Sequence, residues 1–281
     1  MLSQRIIQTI PALRRAPSFK TATLDGKVIP LVEFSRGDFL VKTVRSKRDL
    51  RQVQSLRYDV FHREYKQKKF PFGLDLDRFD AWSDHLVIMD QRTGCFVGTY
   101  RLLLEDRAPY FYSETEFDMS PLKALPGRKL ELSRACIHKD YRNGMVISLL
   151  WRGLVQYAQA SGAEYLFGMS SFKSTTTAEI ARVYLQLRAE GAVDESLPCL
   201  PFGGYKIQDL HKAMEELTAT PDNPDAPAGN LVPALLKSYL RAGAKVIGEP
   251  ALDEDFKCAD FLTLLDLRNM GKASERKFKL C

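Results

Sequence analysis

Residues 130–172 predict a strand, a helix and a second strand in direct succession, and this order constrains the fold more than any other feature. The apolar run "LELSRACI" predicts a strand at 130–137, and apolar residues at helical spacing predict a helix over about 144–160. "SGAEYLFGMSSF" ends that helix at Ser161 and Gly162 and starts another strand. Two strands that pair in parallel need a crossover connection, which is usually a helix, whereas antiparallel neighbours can be joined by a short hairpin. A strand, helix, strand order therefore favours parallel pairing. The segment therefore predicts a parallel pair within an α/β domain.

The flanking segments predict that the rest of the sheet is mostly antiparallel. "HLVIMD" and "CFVGTYRLLL" have a β-hairpin signature, because two short apolar runs are separated by the turn residues "QRTG". The other predicted elements are a strand at 39–46, helices at about 47–64, 176–190 and 207–218, a helix closed by Gly243 and an apolar last strand. We expect a mixed, mostly antiparallel sheet with one parallel pair, flanked by helices.

The length of 281 residues suits one elaborated α/β domain with additions. We expect an N-terminal extension at 1–37, a main domain at 38–281 and an insertion or lid at about 174–230. The extension mixes apolar and basic residues, which leaves two interpretations open: a strap over a groove, or an amphipathic contact with an anionic membrane surface. No apolar stretch approaches the roughly 18 residues that span a bilayer, so we expect no integral membrane protein.

The charge balance favours an acidic partner. The chain has 41 lysines and arginines against 35 aspartates and glutamates, with a pI near 9.0, which suits nucleic acid, anionic lipid or an acidic carrier protein. The basic residues are dispersed and no recognition motif is present, so nucleic-acid binding is disfavoured. The 5 cysteines are widely spaced and form no C-x-x-C pair, which indicates neither a disulfide framework nor a zinc site. A reducing cytoplasm is the expected location.

Glu131 and Arg134 place an acid and a base inside the strand predicted at 130–137. Burying an unpaired charge is costly, so such groups either pair with each other or take part in chemistry. Positions i and i+3 of a flat strand face opposite sides of the sheet. A β-bulge would bring both side chains to one face, and bulges are common beside active sites. Both a structural ion pair and an active site remain open.

The turn that opens the following helix is a candidate anion site. Amide groups at a helix N-terminus bind phosphate, and Arg142 beside Asn143 and Gly144 would strengthen such a site. The alternative is a surface loop with ordinary helix initiation.

The loop "LDLDRFDAWSDH" carries clustered carboxylates at Asp75, Asp77, Asp80 and Asp84. A calcium loop is excluded because Asp80 stands where glycine is needed and Leu86 where glutamate is needed, and we expect no metal. The acids would either hold a cationic substrate or form a solvated loop.

Two arginines lie in otherwise apolar elements. Arg57 is close to the apolar stripe of the first helix, and Arg101 lies in the strand "VGTYRLLL". Each would either extend to solvent or pair with a carboxylate. The 4 histidines show no ligand spacing, and neither a G-x-S-x-G motif nor a Cys/His signature is present, so covalent hydrolase chemistry has little support.

Taken in order, several segments resemble bacterial ornithine–acyl carrier protein N-acyltransferases, a hemolysin-like family with the GNAT-type fold. They are "LRYDVFHREY", "DRFDAWSDHLVIMD", "VGTYRLL", "FYSETEFDMSPL", "ELSRACIHKDYR", "LLWRGLVQYA", "YLFGMSSF" and "LLKSYLRAGA". The resemblance runs from about residue 38 to 268. More distantly, the chain is similar to acyl-homoserine-lactone synthases and N-acyl amino acid synthases in sharing a pattern of Arg57, Phe61, Asp77, Asp80, Arg101, Glu131 and Arg134.

The resemblance implies a GNAT-type sheet whose parallel strands splay apart, with a helical insertion. It also implies that an amine attacks an acyl carrier protein thioester directly, without an acyl-enzyme. Glu131 would then act as the base, directly or through water, and backbone amides around Ser133 and Cys136 would face the thioester. Residues Arg142 to Gly144 would hold the phosphodiester of the 4′-phosphopantetheine arm. The basic residues expected to steer the carrier are Arg45, Lys47, Arg48, Lys66, Lys68, Lys69, Arg142 and Arg152.

By the same resemblance the acceptor is ornithine. Asp77 and Asp80 would bind its positive groups, Arg57 or Arg101 its carboxylate, and Phe61 would line the substrate site. The predicted reaction transfers a (3-hydroxy)fatty acyl group to the α-amine and gives lyso-ornithine lipid, with no cofactor beyond the carrier thioester.

Three alternatives to this function remain open. They are an acyl-homoserine-lactone synthase that uses S-adenosylmethionine, an N-acyl amino acid synthase for another amino acid, and a non-catalytic lipid- or carrier-binding protein. The expected location is the cytoplasm, with peripheral contact at the inner face of the membrane as a further option.

Overall fold

The structure is a computed structural model, and it describes residues 21–24, 27–66, 71–219 and 232–269. Most of the predicted N-terminal extension lies outside the described residues, as do Lys68 and Lys69 of the expected carrier-binding set. No helix among the described residues is long and apolar enough to cross a membrane.

Strands and helices follow one another largely as the sequence patterns predict. The strands are β1 (Thr21–Leu24), β2 (Lys27–Pro30), β3 (Glu33–Arg36), β4 (Phe39–Thr43), β5 (Asp84–Asp90), β6 (Cys95–Leu104), β7 (Lys129–Ile137), β8 (Tyr165–Phe172), β9 (Val193–Asp194), β10 (Lys245–Ile247), β11 (Ala251–Asp253) and β12 (Cys258–Asp266). The helices are α1 (Lys47–Tyr58), α2 (Ser120–Lys123), α3 (Met145–Ser161), α4 (Thr177–Ala189), α5 (Leu210–Ala219) and α6 (Ala234–Ala242). The helix predicted over 47–64 is α-helical to Tyr58 and continues as a π-helix over Asp59–Lys66.

The main sheet runs in the order β3-β4-β5-β6-β7-β8-β12-β10-β9, and β11 pairs with β12. The predicted parallel pair is β7 with β8, and its neighbours are antiparallel, so the predicted mixed, mostly antiparallel sheet is confirmed. A second parallel pair joins β9 to β10. It was not predicted, because the two residues of β9 are too few to show a period-2 pattern.

Helices cover both faces of the sheet. One face of β4, β5 and β6 packs against α3, and the other face packs against α1. The cap predicted for α1 is present, because Ser46 Oγ accepts the Asp49 N–H at 3.0 Å. In the segment predicted as an insertion or lid, α4 and α5 bury their apolar faces against Val246 and Phe261.

Beyond their first three paired residues, β7 and β8 diverge. Pairing joins Lys129–Glu131 to Tyr165–Phe167 and ends there. Gly168 follows at the point of divergence, where an added Cβ would lie 2.1 Å from the carbonyl oxygen of Leu132. The two strands approach too closely at this point to admit a side chain, and then open into a cleft.

A β-bulge lies on the opposite edge of β7. The register with β6 shifts between Thr99 and Arg101, so that Arg134 and Ala135 stand opposite Tyr100. Arg134 has a φ of 49°, in the left-handed region that non-glycine residues seldom adopt. The bulge required to bring Glu131 and Arg134 to one side of the sheet is therefore confirmed.

We predict that Gly168→Ala destabilises the protein, because the new methyl group must displace the backbone of β7. The expected loss is about 1–3 kcal/mol in the free energy of unfolding, measured by urea titration. Gly204→Ala is the matched control, since a Cβ at Gly204 meets nothing within 4 Å. Equal stability of the two variants would contradict the close approach of β7 and β8.

Candidate active site

Arg57 of α1 is completely buried and reaches the loop that precedes β5. Its Nε donates to Oδ2 of Asp75 at 2.7 Å, and its Nη1 donates to Oδ1 of Asp80 at 2.7 Å. Nη2 donates to the carbonyl oxygen of Asp75 at 2.9 Å and to Asp80 Oδ2 at 3.1 Å. Such bonds between charged groups are the strong kind, and they fix the loop onto the helix.

Arg101 of β6 and Arg134 of β7 extend this set of ion pairs. Both arginines contact Asp77 Oδ2, through Arg101 Nη1 at 2.8 Å and Arg134 Nη2 at 2.9 Å. Arg101 Nε also donates to Ser133 Oγ at 2.9 Å. The residues Arg57, Arg101, Arg134, Asp75, Asp77 and Asp80 form what we call the arginine network.

The arginines of the network balance the charges of its aspartates. Burial alone would raise the pKa of Asp75, but the charges of Arg134 and Arg57 outweigh it and lower this pKa to about 2. Asp77 and Asp80 each have both carboxylate oxygens occupied by donors from the protein. The sequence predicts that these two acids bind substrate ammonium groups, and in the structure both are paired with arginines.

Two buried nitrogen atoms of the network make no hydrogen bond within the described residues, although one of them, Arg134 Nε, lies 3.5 Å from Asp75 Oδ2 in an ion pair. Among the described residues, Arg101 Nη2 and Arg134 Nε are buried and have no hydrogen-bond partner. Both guanidinium groups lie against the ring of Tyr112, at 5.0 Å for Arg101 and 5.1 Å for Arg134. A buried donor without a partner is costly. The free donors therefore suit an anionic group or carbonyl oxygen of a ligand.

Glu131 is completely buried, one strand position before the cleft opens. Its Oε2 accepts the Tyr112 N–H at 2.7 Å, and its Oε1 accepts the N–H and the hydroxyl of Ser113 at 2.7 and 2.6 Å. Burial raises the pKa of Glu131, although the hydrogen bonds from Ser113 and Tyr112 act in the opposite direction. Glu131 thus anchors the 3-10 turn Tyr112–Thr115, which carries the ring beneath both arginines.

The predicted anion site opens α3 beside the same edge of the sheet. Gly144 precedes the first turn with a φ of 83°, and Asn143 Oδ1 accepts the Met145 N–H at 3.2 Å. Arg142 forms a bidentate pair with Glu64 at 2.6 and 2.7 Å. Its charge is thereby partly balanced by Glu64.

Phe61 lies on the open side of the arginine network. The centre of its ring is 5.9 Å from the Arg134 guanidinium carbon, and Phe256, in the turn between β11 and β12, contacts the same group at 5.8 Å. The structure thus brings together six of the predicted residues, which are Arg57, Phe61, Asp77, Asp80, Arg101 and Arg134. Ser133 and Glu131 adjoin them, and Arg142, Asn143 and Gly144 lie apart at the start of α3.

Sequence reasoning missed Tyr112 and Ser113. Their segment, "FYSETEF", has no periodicity and no chemical motif of its own, and Ser113 is 18 residues from the carboxylate it binds. A turn that meets a strand only through tertiary packing leaves no local signal.

A family model described as "Acetyltransferase (GNAT) domain" matches residues 56–152. An L-ornithine N(alpha)-acyltransferase of Rhodobacter capsulatus is 32% identical over 83% of this chain and 91% of its own length. The chain belongs to the L-ornithine N(alpha)-acyltransferase family. This N-acyltransferase is also 31% identical to the member from Rhizobium meliloti, over 84% of this chain and 81% of the relative. The resemblance, the GNAT fold and the enzyme class predicted from the sequence are confirmed.

Solved structures similar to this N-acyltransferase have lower sequence identity. The CoA-dependent acyl-homoserine lactone synthase BjaI is 16% identical with a TM-score of 0.47, covering 83% of this chain and 81% of that one. FeeM, an N-acyl amino acid synthase from uncultured soil microbes, is 8% identical with a TM-score of 0.45, covering 84% and 97% respectively.

We predict that Arg57→Leu strongly destabilises the enzyme, because it leaves Asp75 and Asp80 buried without their principal cation. The free energy of unfolding should fall by about 3–5 kcal/mol. Arg188→Leu is the control, since Arg188 pairs with Glu195 at the surface and should cost less than about 1 kcal/mol. A loss at Arg57 as small as that at Arg188 would show that the network does not stabilise the fold.

Acid lability should arise at His85, which is buried beside Asp80, Arg57 and Arg101. Burial lowers the pKa of this imidazole from 6.5 to about 3. Between these pH values the imidazole is protonated in the unfolded chain but not in the folded protein. The free energy of unfolding therefore falls as the pH falls below 6.5. Relative to His85→Leu, the wild-type should lose about 1.4 kcal/mol per pH unit in that range, by urea titration. Parallel curves for the two proteins would exclude the effect.

Proposed function

We propose that this enzyme transfers a 3-hydroxy fatty acyl group from an acyl carrier protein thioester to the α-amine of ornithine, giving lyso-ornithine lipid. The observation that carries the proposal is the agreement with relatives named for ornithine N(alpha)-acylation over almost their whole length. The site geometry supports it, because the cleft joins an unpaired strand edge to a set of buried arginine donors.

The cleft between β7 and β8 is the proposed binding site of the pantetheine thioester. Beyond Glu131 the edge of β7 that faces β8 has no strand partner, so its backbone groups are available to an extended arm. The bulge at Arg134 and Ala135 interrupts the ladder with β6 on the other edge. We assign backbone amides from Ser133 to Cys136 to the thioester oxygen, where they would stabilise the negative charge of the tetrahedral intermediate.

The acceptor amine attacks the thioester carbon directly in this proposal. The α-ammonium first loses one proton to solvent. The amine then forms the C–N bond while the C–S bond breaks, and the second proton lost by the nitrogen passes to the pantetheine thiolate, which leaves as the carrier thiol. The acceptor carboxylate is assigned to the free donors Arg101 Nη2 and Arg134 Nε, because charge-assisted hydrogen bonds to a carboxylate satisfy both. Arg57 is not assigned to it, since its guanidinium already donates to Asp75 and Asp80.

Glu131 enters the proposal as a positioning residue. Both of its oxygens already accept donors from Tyr112 and Ser113, and its side chain has no exposed surface, so the geometry does not favour direct contact with the amine. Its carboxylate instead holds Tyr112 against Arg101 and Arg134. This arrangement keeps the two free arginine donors directed at the acceptor.

An acidic carrier protein suits the exposed face of α1. Lys47, Arg48 and Arg51 line one depression on the exposed face of α1. Positive charge of this kind raises the rate at which an acidic partner is captured. The turn at Arg142–Gly144 is assigned to the single phosphate of the carrier arm. With this donor, the proposed location is the cytoplasm, and the lipid product passes to the inner face of the membrane.

The proposal is tested with purified enzyme, 3-hydroxyacyl-acyl carrier protein and ornithine, with the product identified by mass spectrometry. Tandem mass spectrometry of the acylated ornithine locates the acyl group, which should lie on the α-nitrogen, and Nα-acetylornithine, whose α-amine is blocked, should not be acylated. Replacing the carrier by the matching acyl-CoA tests the donor, and we expect a lower kcat/KM. Acylation of Nα-acetylornithine, a lactone product or equal use of both donors would contradict the respective part of the proposal.

Glu131→Gln should lower kcat/KM by about 100-fold or more while the fold is retained, because the amide NH₂ would face an N–H donor of the Tyr112–Thr115 turn. Steady-state kinetics and the circular dichroism spectrum check this, with the exposed Glu190→Gln as control. If Glu131 only positions the turn, the pH profile of kcat/KM of Glu131→Gln should keep the wild-type shape. Loss of its acidic limb would instead identify Glu131 as the base.

A further inference from the structure

A second group of acids lies close to Tyr112 and to Arg134 of the arginine network. Glu116 follows the turn Tyr112–Thr115, Asp253 ends β11 and Asp260 belongs to β12. All three are buried, with 2%, 9% and 4% of their surfaces exposed. We call Glu116, Asp253 and Asp260 the acid cluster.

The acid cluster has no counter-ion. Among the described residues, no arginine, lysine or histidine forms an ion pair with any of its members, in contrast to the aspartates of the arginine network. Asp253 Oδ1 accepts the backbone N–H groups of residues 255 and 256 at 2.8 and 2.9 Å. Asp260 accepts the Ser171 hydroxyl at 2.6 Å and lies 3.8 Å from the Cys258 thiol. These are neutral donors, and Arg134, whose charge acts on Glu116 and Asp260, forms no ion pair with any of the three acids in the described part of the chain.

Glu116 has a carboxylate oxygen that could accept a hydrogen bond from a ligand. Its Oε2 is buried and has no hydrogen-bond partner among the described residues. Burial raises the pKa of Glu116, and the nearby charges of Asp260 and Asp253 raise it further, against the opposing effect of Arg134. A buried acceptor without a donor is costly, and a ligand cation would remove both this cost and the mutual repulsion.

The acid cluster also lies within reach of the proposed reaction centre. The Glu116 N–H donates to the carbonyl oxygen of Ser113 at 3.1 Å, and Ser113 is bound to Glu131. Phe256, between Asp253 and Asp260 in the chain, contacts the Arg134 guanidinium. An acceptor whose carboxylate meets the arginines would extend its side chain toward these acids.

We propose that the acid cluster binds the side-chain ammonium of the amino-acid acceptor and so selects a diamino acid. The assignment rests on the proposed function, and it names the specificity pocket of that same site. An ammonium group has three N–H donors and no acceptor, which matches three carboxyl groups that lack a cation. The ammonium would donate to Glu116 Oε2 and to Asp260, while Asp253 keeps its backbone bonds and contributes charge.

A metal ion is the competing occupant. One ligand atom from each of Asp253, Cys258 and Asp260 lies within 4.8 Å of the others. Metal binding by cysteine requires the thiolate, however, and burial raises the pKa of the Cys258 thiol. Glu116, which has the free oxygen, is not a member of that ligand set.

The test compares ornithine with norvaline, which has the same carbon skeleton and α-amino acid group but no side-chain ammonium. The wild-type enzyme should prefer ornithine by at least about 100-fold in kcat/KM. Glu116→Gln and Asp260→Asn should each reduce this ratio by about tenfold or more, because each removes a negative acceptor but keeps the side-chain shape. The exposed Asp255→Asn, in the same turn, is the matched control and should keep the wild-type ratio.

The outcomes separate this inference from the proposed function. If the wild-type acylates neither amino acid, the proposed function fails. If it acylates both equally, an α-amine acyltransferase remains but the ammonium pocket is overturned, and this result does not depend on the folding of any variant. An unchanged ratio in folded Glu116→Gln and Asp260→Asn would overturn the pocket as well. So would calorimetric binding of Zn²⁺ alone that disappears in Cys258→Ala, since the cluster would then hold a metal.

Discussion

The buried ion pairs of the arginine network are the interaction on which the rest of this structure depends. They connect four elements that are distant in the chain: α1, the loop before β5, β6 and the bulge of β7. Burying charge is costly, and here each aspartate meets at least one guanidinium at hydrogen-bonding distance. Because the arginines are held in this way, Arg101 Nη2 and Arg134 Nε stay buried without a hydrogen-bond partner among the described residues.

The diverging strands β7 and β8, the arginine network and the acid cluster together determine which part of the site is positive and which is negative. The divergence after Glu131 opens a cleft for a thioester, and Gly168 permits the close approach from which it starts. Close to Tyr112 lie arginine nitrogens that make no hydrogen bond and acids that form no ion pair, both among the described residues. An amino acid with a second amine complements both groups at once, since its carboxylate and its side-chain ammonium carry the charges that the site lacks.

Much of the fold followed from local patterns. The cap at Ser46, the hairpin of β5 and β6, and the crossover from β7 to β8 each have a short-range signature, and each is present. The need for a bulge beside Arg134 also followed, because an acid and a base three positions apart cannot share one face of a regular strand. The assignment of partners did not follow in this way. The expected substrate acids Asp77 and Asp80 pair with arginine, and the acids without a counter-ion lie in segments that carry no motif.

The sequence by itself determined which side chains carry charge into the core, and the order of strands and helices that surrounds them. Hydrophobic periodicity and capping residues act within a turn or a strand, so both can be read without knowing the tertiary structure. Only the tertiary structure decided which charges neutralise one another. Arg57 meets Asp80 across 23 residues and Ser113 meets Glu131 across 18, and such pairings depend on how strands and loops pack in space. Electrostatic complementarity is therefore a property of the folded molecule, and it distinguishes saturated acids from those still available to a ligand.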